Sequence, residues 1–148
     1  MVNLPPPVWM FIYLIVALVA SVLYPWKSIV DLTFLPLGAL LIVVGLAFAF
    51  WAVSIFRREG TEIKPTSAEN KTLVVRGPFR YSRNPMYFGL VLSGLGIAFA
   101  AGSLPMFVVP LLVFATANWI HIPFEEAKMR RQFGVSYDDY TTLVRRWI

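Results

Sequence analysis

Long apolar stretches free of Asp, Glu, Lys and Arg alternate with polar segments along this 148-residue chain. At 1.5 Å per residue, a helix needs about 17 to 25 residues to cross a bilayer core roughly 30 Å thick. The stretches have about this length, so the pattern predicts an all-α membrane protein with four transmembrane helices. The predicted spans are residues 8–24, 32–56, 86–101 and 104–122.

The last two apolar stretches are separated only by Gly102 and Ser103, which predicts a tight helical hairpin. Beyond it, the tail 123–148 predicts an amphipathic helix, a turn at Phe133-Gly134 and a second short helix. This tail is expected to lie along the membrane surface, either as a lid over a site beneath it or as a simple anchor. We therefore expect a single membrane-embedded domain spanning residues 1–148.

The basic residues predict the orientation of the four spans. Seven of the 13 Lys and Arg residues lie in the loop 57–83, and five more lie in the tail after Ile122. Four spans place this loop and the tail on the same side, which the positive-inside tendency makes cytoplasmic. Both termini are then cytoplasmic as well, in a protein expected in the inner (cytoplasmic) membrane among membrane lipids.

Composition narrows the possible chemistry. The chain is 58% hydrophobic and 14% charged, carries a net charge of +5 and has no cysteine. Disulfides, thiol-ligated metals and cysteine nucleophiles are excluded, and no metal site is predicted. Nucleic acid is not an expected partner, because no basic stripe interleaved with aromatic residues lies outside the membrane edges.

A first polar cluster occupies residues 72–89, where Arg, Tyr, Gly and Pro are dense. Gly77-Pro78 predicts a turn, and Asn84-Pro85 predicts the cap and first residue of the third helix. The free N–H groups of that first helical turn suit a carboxylate or a phosphate. An ordinary basic loop held at anionic lipid headgroups fits the same composition, so both interpretations stay open.

A second polar cluster ends the fourth span. Asn118, His121 and Glu125 share one helical face if the helix continues across Pro123, and Glu126 adds a second carboxylate. The carboxylates suit a cation or the hydroxyl and amine groups of a ligand, but also suit the first turn of a new helix. His121 fits either a proton shuttle or a packing residue. Because the hairpin returns the chain to its start, we expect both clusters to border one cofactor pocket.

Several motifs occur in order across these clusters. They are residues 77–81, residues 83–89, the Glu125-Glu126 pair, Phe133-Gly134, Tyr137, Tyr140 and residues 145–147. With these motifs, the sequence from about Phe56 to Ile148 resembles the integral-membrane methyltransferase superfamily. That superfamily includes isoprenylcysteine carboxyl methyltransferases and phospholipid N-methyltransferases. Carboxyl methyltransferases usually carry His at position 84, so the Asn-Pro-Met-Tyr of residues 84–87 is more similar to the phospholipid version.

The resemblance implies S-adenosylmethionine as methyl donor, S-adenosylhomocysteine as product, and a lipophilic or small-molecule acceptor. The cofactor-binding residues it implies are Thr72, Leu73, Val74, Phe79, Asn84, Pro85, Met86, Tyr87, Glu125 and Glu126. We expect Arg83 to hold the donor's carboxylate, the Tyr87 ring to face its sulfonium, and Glu125 or Glu126 to accept from its amine or ribose. The candidate catalytic residues are Arg83, His121 and Glu125.

Two other functions remain open. Sterol reductases have a similar helix arrangement, so an intramembrane reductase using NADPH is one alternative. A non-catalytic membrane scaffold with the same fold is the other, because Asn84 replaces the histidine of the carboxyl methyltransferases. The residues leave open the methyl acceptor, any general base and the oligomeric state.

Overall fold

The computed structural model describes residues 4–24, 26–59 and 72–148, and these residues form helices and turns without any strand. The first half contains helix α1 (Pro6–Leu23), the short helix α2 (Trp26–Ile29) and helix α3 (Leu35–Arg58). Both long helices carry a proline in their first turn, where its missing N–H would have no helical partner anyway. The all-α prediction is confirmed for these residues.

The second half begins with a 3-10 turn, Gly77–Arg80, followed by helix α4 (Pro85–Ala101). Gly102 ends α4 with φ 68, a left-handed conformation that glycine adopts without strain. Helix α5 then begins at Leu104, so the two-residue connection lies where the sequence predicted the hairpin turn. The remaining elements are α5 (Leu104–Thr116), a π-helical turn (Ala117–His121), α6 (Ile122–Phe133) and α7 (Val135–Leu143).

Helices α5 and α6 are continuous, so the helix predicted to end its span at Ile122 instead runs on to Phe133. The π-helical turn explains how it passes Pro123. Its wider ring lets the Ile122 N–H bond to the Ala117 oxygen, five residues back. Pro123 therefore follows directly after the π-helical turn, where the wider ring accommodates a residue that has no N–H to donate.

In the described part of the chain, three helices are long and apolar enough to cross a membrane. They are Pro6–Leu23, Leu35–Arg58 and the continuous Leu104–Phe133. Their apolar faces are exposed, with Val22 at 77% and Phe50 at 68%. The protein is therefore an integral membrane protein. Helix α4 is a shorter apolar helix of 17 residues, and its crossing of the bilayer stays a prediction.

Helix α4 lies between α3 and α5, and α1 packs on the other side against α5. The α3–α4 contact depends on glycines. A Cβ added to Gly96 would lie 2.6 Å from the Gly38 oxygen, and one added to Gly38 would lie 2.8 Å from the Gly96 oxygen. The two backbones thus touch directly, in the close packing that small residues allow between membrane helices.

Both polar clusters meet at one end of this helix bundle, here called the polar end: the loop 72–84, α6, α7 and residues 144–148. The Arg83 N–H donates to the Arg145 oxygen at 3.0 Å, and the Tyr140 hydroxyl donates to the Phe79 oxygen at 2.7 Å. The two clusters thus lie at the same end of the fold, as predicted. Residues 60–71 of the predicted basic loop 57–83 lie outside the described residues.

Candidate functional site

A cavity of about 340 Å³ lies at the polar end. All ten residues that the resemblance assigns to the cofactor line it: Thr72, Leu73, Val74, Phe79, Asn84, Pro85, Met86, Tyr87, Glu125 and Glu126. Arg83, a candidate catalytic residue, lines it too. Their part in binding a cofactor stays a prediction, but the fold brings all eleven to a single surface.

The loop side of the cavity is held from two directions. Gly77 has φ 62 and starts the 3-10 turn, which buries Phe79. The Phe79 ring stacks on Phe56 of α3, with centroids 4.8 Å apart and planes at 10°. Its carbonyl oxygen accepts the hydroxyl of Tyr140 from α7. Contacts to both α3 and α7 therefore fix the loop beside the cavity.

Asn84 stands at the N-cap position of α4, but its side chain does not cap the helix. Its Nδ2 instead donates to the Arg146 oxygen at 3.0 Å, and Ser82 Oγ accepts the Asn84 N–H at 3.0 Å. The prediction that Asn84 is the cap and Pro85 the first residue of the helix is confirmed, but the side chain makes no capping hydrogen bond, because the C-terminal segment offers its amide a carbonyl. The first turn of α4 is left to face the cavity, with Met86 and Tyr87 in the lining.

Arg83 is a largely buried cation whose hydrogen-bond donors are not all satisfied within the described residues. Its side chain is only 13% exposed, and its Nη2 lies 3.3 Å from Glu126 Oε1. Within the described residues, its Nε and Nη1 atoms are buried and have no hydrogen-bond partner. Buried polar atoms are normally satisfied, so each of these two donors suits a hydrogen bond to an anionic ligand.

The two adjacent glutamates have different partners. Glu125 Oε1 accepts the Tyr87 hydroxyl at 2.7 Å. Glu126 accepts two hydrogen bonds from Arg146, Nη2 to Oε2 at 2.7 Å and Nε to Oε1 at 3.2 Å, and also pairs with Arg83. Glu126 is therefore neutralised by two guanidinium groups, whereas Glu125 shares the cavity with one phenol.

His121 is fully buried and does not line the cavity. Its ring stacks on the outer side of Tyr87, with centroids 6.1 Å apart and planes at 26°. Within the described residues, neither ring nitrogen has a hydrogen-bond partner. This position favours the packing interpretation, and the catalytic role of His121 stays a prediction. Asn118 was predicted to share a helical face with His121. Its side-chain oxygen accepts hydrogen bonds from Trp147 and Arg146.

Comparison with protein families shows to which family the chain belongs. The family model described as phospholipid methyltransferase matches residues 33–136, more than half of the chain. The chain belongs to the phospholipid methyltransferase family. The match covers α3 to the start of α7 and so includes both polar clusters. Comparisons with curated proteins and with solved structures give no match.

Membership in the phospholipid methyltransferase family confirms the resemblance to the membrane methyltransferase superfamily and indicates a membrane methyltransferase. It also favours methyl transfer over the reductase alternative. The matched region covers residues 33–136, so five lining residues of the cavity lie outside it: Pro5, Pro6 and Pro7 at the start of α1, and Tyr137 and Tyr140 of α7. These parts of the cavity must be argued from the structure.

Some lining residues of this methyltransferase cavity were not predicted as site residues. They are Pro5, Pro6, Pro7, Ala49, Val53, Phe56, Leu90, Lys128, Met129, Tyr137 and Tyr140. The tyrosines carried a signal, since they lie three residues apart on the apolar face of α7. The apolar residues of α3 and α4 carried none, because a residue facing a cavity and one facing lipid look alike in sequence.

Tyr137 and Tyr140 close the cavity from the side of α7, and both are buried. Burial raises the pKa of each, with Glu126 adding to the effect at Tyr137 and Tyr137 adding to it at Tyr140. A raised pKa keeps a phenol protonated. The Tyr140 hydroxyl can therefore keep donating to Phe79 across the neutral and mildly alkaline range.

Proposed function

We propose that this protein is an S-adenosylmethionine-dependent methyltransferase that acts on a lipophilic or small acceptor at the cytoplasmic edge of the inner membrane. We further propose that α4 is a fourth span, so that both termini are cytoplasmic. At 1.5 Å per residue, its 17 residues extend about 25 Å, close to a bilayer core. The basic residues around the polar end support this orientation.

The observation that carries the proposal is the pair of Arg83 donors, Nε and Nη1, that have no partner among the described residues and lie in the same cavity as the Tyr87–Glu125 pair. S-adenosylmethionine carries a carboxylate, an amine and a sulfonium cation. Arg83 supplies two donors for a carboxylate, and Glu125 supplies an acceptor for an amine. The residues present therefore fit the donor's polar groups.

Each residue then has a stated task. Arg83 and the first-turn N–H groups of α4 bind the carboxylate. Glu125 accepts from the amine, and the Tyr87 ring offers its face to the sulfonium. Glu126 is already held by two guanidinium groups, so Glu125 is the member of the pair left for the ligand.

Bound S-adenosylmethionine would supply an electrophilic methyl group. The chain's contribution is then mainly to position the reactants, which alone lowers barriers by about 7 to 11 kcal/mol in well-oriented reactions. The tyrosines of α7 and the loop 72–84 border the polar part of the cavity. Displacing water from it when the reactants bind would favour methyl transfer if the attacking group of the acceptor is anionic.

The opposite wall of the cavity is apolar and supports an acceptor that arrives from the bilayer. It consists of the prolines that begin α1 and of Ala49, Val53 and Phe56 on α3. Helices α1 and α3 flank the α4–α5 pair from different sides, and their outer faces are exposed and apolar. A lipophilic acceptor can thus meet the donor without leaving the apolar phase.

Calorimetric titration of the detergent-purified protein tests the donor. We expect S-adenosylmethionine and S-adenosylhomocysteine to bind at micromolar concentration and NADPH not to bind. Binding of NADPH alone would favour the reductase, and no binding by any of the three would favour the scaffold.

The acceptor requires a second experiment. The protein is incubated with native lipid extract and with donor labelled on its methyl group, and the labelled molecules are identified by mass spectrometry. We expect label in a lipid or another extractable small molecule. If the protein binds the donor but nothing acquires label, catalysis in the proposed form is refuted.

A further inference from the structure

The C-terminal segment Arg145–Trp147 crosses the polar end and joins two separate parts of the molecule. The carbonyl groups of Arg145 and Arg146 accept from the Arg83 N–H and from Asn84 Nδ2, each at 3.0 Å. Trp147 Nε1 donates to Asn118 Oδ1 at 3.1 Å, and its ring stacks on Phe114 at 4.7 Å. The segment is therefore tied both to the loop before α4 and to the continuous α5–α6 helix.

The side chain of Arg146 lies behind the cavity lining. It is absent from the lining itself, but its guanidinium makes two hydrogen bonds to Glu126, which does line the cavity. Glu126 is 6% exposed, so its charge depends on protein partners rather than on water. Arg146 supplies two donors to it, and Arg83 approaches it through Nη2 alone.

This division leaves two donors of Arg83 without a partner among the described residues. Arg146 takes Oε2 of Glu126 and shares Oε1, so Arg83 reaches the carboxylate only through Nη2, 3.3 Å from Oε1. The Nε and Nη1 atoms of Arg83 consequently have no partner among the described residues. Without Arg146, the Glu126 carboxylate could turn and make two parallel hydrogen bonds to Arg83, the favoured geometry of an Arg–carboxylate pair.

We propose that Arg146 is a positioning residue of the methyl-donor site. By holding Glu126, it keeps Nε and Nη1 of Arg83 available for the donor's carboxylate. This inference rests on the proposed function, because it assumes that the cavity binds a donor with a carboxylate. It assigns Glu126 an indirect role, in contrast to the direct contact of Glu125.

Two ligands separate this role from a merely structural one. S-adenosylhomocysteine has the amino-acid carboxylate, whereas 5′-methylthioadenosine keeps the nucleoside and thioether but lacks the amino acid. We expect Arg146→Gln to weaken S-adenosylhomocysteine binding at least tenfold and 5′-methylthioadenosine binding less than twofold. Arg145→Gln is the matched control. It removes the same charge from the neighbouring residue, whose side chain is exposed, and should change the affinity for neither ligand.

The double variant Arg146→Gln/Glu126→Gln sharpens the test. Removing the charge of Glu126 takes away the group that would occupy Arg83, so S-adenosylhomocysteine affinity should recover to within threefold of the wild type. If Arg146→Gln fails to fold, Arg146→Lys replaces it. Lysine keeps the charge but cannot make the two-point contact, so a smaller, still selective loss is expected.

Three outcomes would overturn the inference: equal loss of both ligands, no loss of S-adenosylhomocysteine, or no recovery in the double variant. Failure of the proposed function is distinguishable. In that case the wild-type protein binds no S-adenosylhomocysteine, and both the donor assignment and the role of Arg146 are rejected together.

Discussion

The α3–α4 interface and the polar end are both closely packed, but by opposite means. At the α3–α4 interface, glycines allow the closest contacts, and the backbone of Gly38 touches that of Gly96. At the polar end, charged side chains fill the space, and Glu126 is enclosed by Arg83 and Arg146. One region is closed to any ligand, whereas the other leaves a cavity of about 340 Å³.

The difference separates the region that stabilises the fold from the region that borders the candidate site. Helices in lipid gain little from apolar burial, so close backbone approach is what holds α3 against α4. Buried charges contribute little net stability after desolvation, and so the ion pairs of the polar end are better explained by the site they border. Variants of the first region should therefore affect folding, and variants of the second should affect binding.

The largest effect is expected at the α3–α4 interface. Gly96→Ala would place a methyl group 2.6 Å from the Gly38 oxygen, and neither backbone can give way. We expect a loss of about 3 kcal/mol in the free energy of unfolding, at the upper end of overpacking effects. Gly94→Ala is the control, because its added Cβ meets only ordinary contacts at 3.7 Å. Thermal unfolding in detergent measures both, and equal melting temperatures would contradict the proposed backbone contact.

The next effect concerns the free cation of the cavity. Arg83→Gln should weaken S-adenosylhomocysteine about thirtyfold, or about 2 kcal/mol, because a charge-assisted contact is lost. Isothermal titration calorimetry measures it. Arg80→Gln is the control, since Arg80 is exposed on the same loop and does not line the cavity. If both variants bind equally well, Arg83 is not the carboxylate-binding residue.

A smaller effect is expected for the hydroxyl of Tyr87. Tyr87→Phe keeps the ring but removes the 2.7 Å hydrogen bond that orients Glu125. We expect donor affinity to fall about fivefold, or about 1 kcal/mol, with little change in melting temperature. Tyr81→Phe, an exposed tyrosine outside the lining, should leave the titration unchanged. A large drop in melting temperature without a change in affinity would show that the Tyr87–Glu125 bond is structural.

The smallest effect is one of pH. The pKa of Tyr140 is raised by burial, so the folded state favours the neutral phenol. Its contribution to stability is complete below the ordinary tyrosine pKa of about 10 and falls as the pH rises above that value. The wild-type melting temperature should therefore drop more between pH 8 and pH 11 than that of Tyr140→Phe. Tyr24→Phe, at an exposed tyrosine, should follow the wild type; a parallel drop in Tyr140→Phe would refute the effect.

Much of this architecture was predictable because hydrophobic length and cap residues are local signals. The apolar stretches correspond to α1, α3, α4 and α5, and the connection at Gly102-Ser103 lies where the pattern put it. The passage of the helix through Pro123 was not predictable with certainty. It depends on a π-helical turn, which local sequence does not specify.

The candidate site divides in the same way. Its motifs were readable because the polar residues of 72–89 and the glutamate pair stand out in so apolar a chain. Their partners were not readable. Asn84 looked like a helix cap, yet its amide bonds to the Arg146 carbonyl, and Glu125 looked equivalent to Glu126 until Tyr87 and Arg146 separated them.

By itself, the sequence determined that the chain is an all-α membrane protein whose polar residues gather at one end. That information lies in segment length, charge placement and ordered motifs, all of which act between residues near in sequence. Only the tertiary structure decided which glutamate pairs with Tyr87 and which with the two arginines, that His121 stacks on Tyr87, and that two donors of Arg83 have no partner among the described residues. These features depend on contacts between segments distant in sequence, such as that of Arg146 with Glu126. The partner in a hydrogen bond is determined by distance and angle in the folded chain, which a local sequence pattern does not contain.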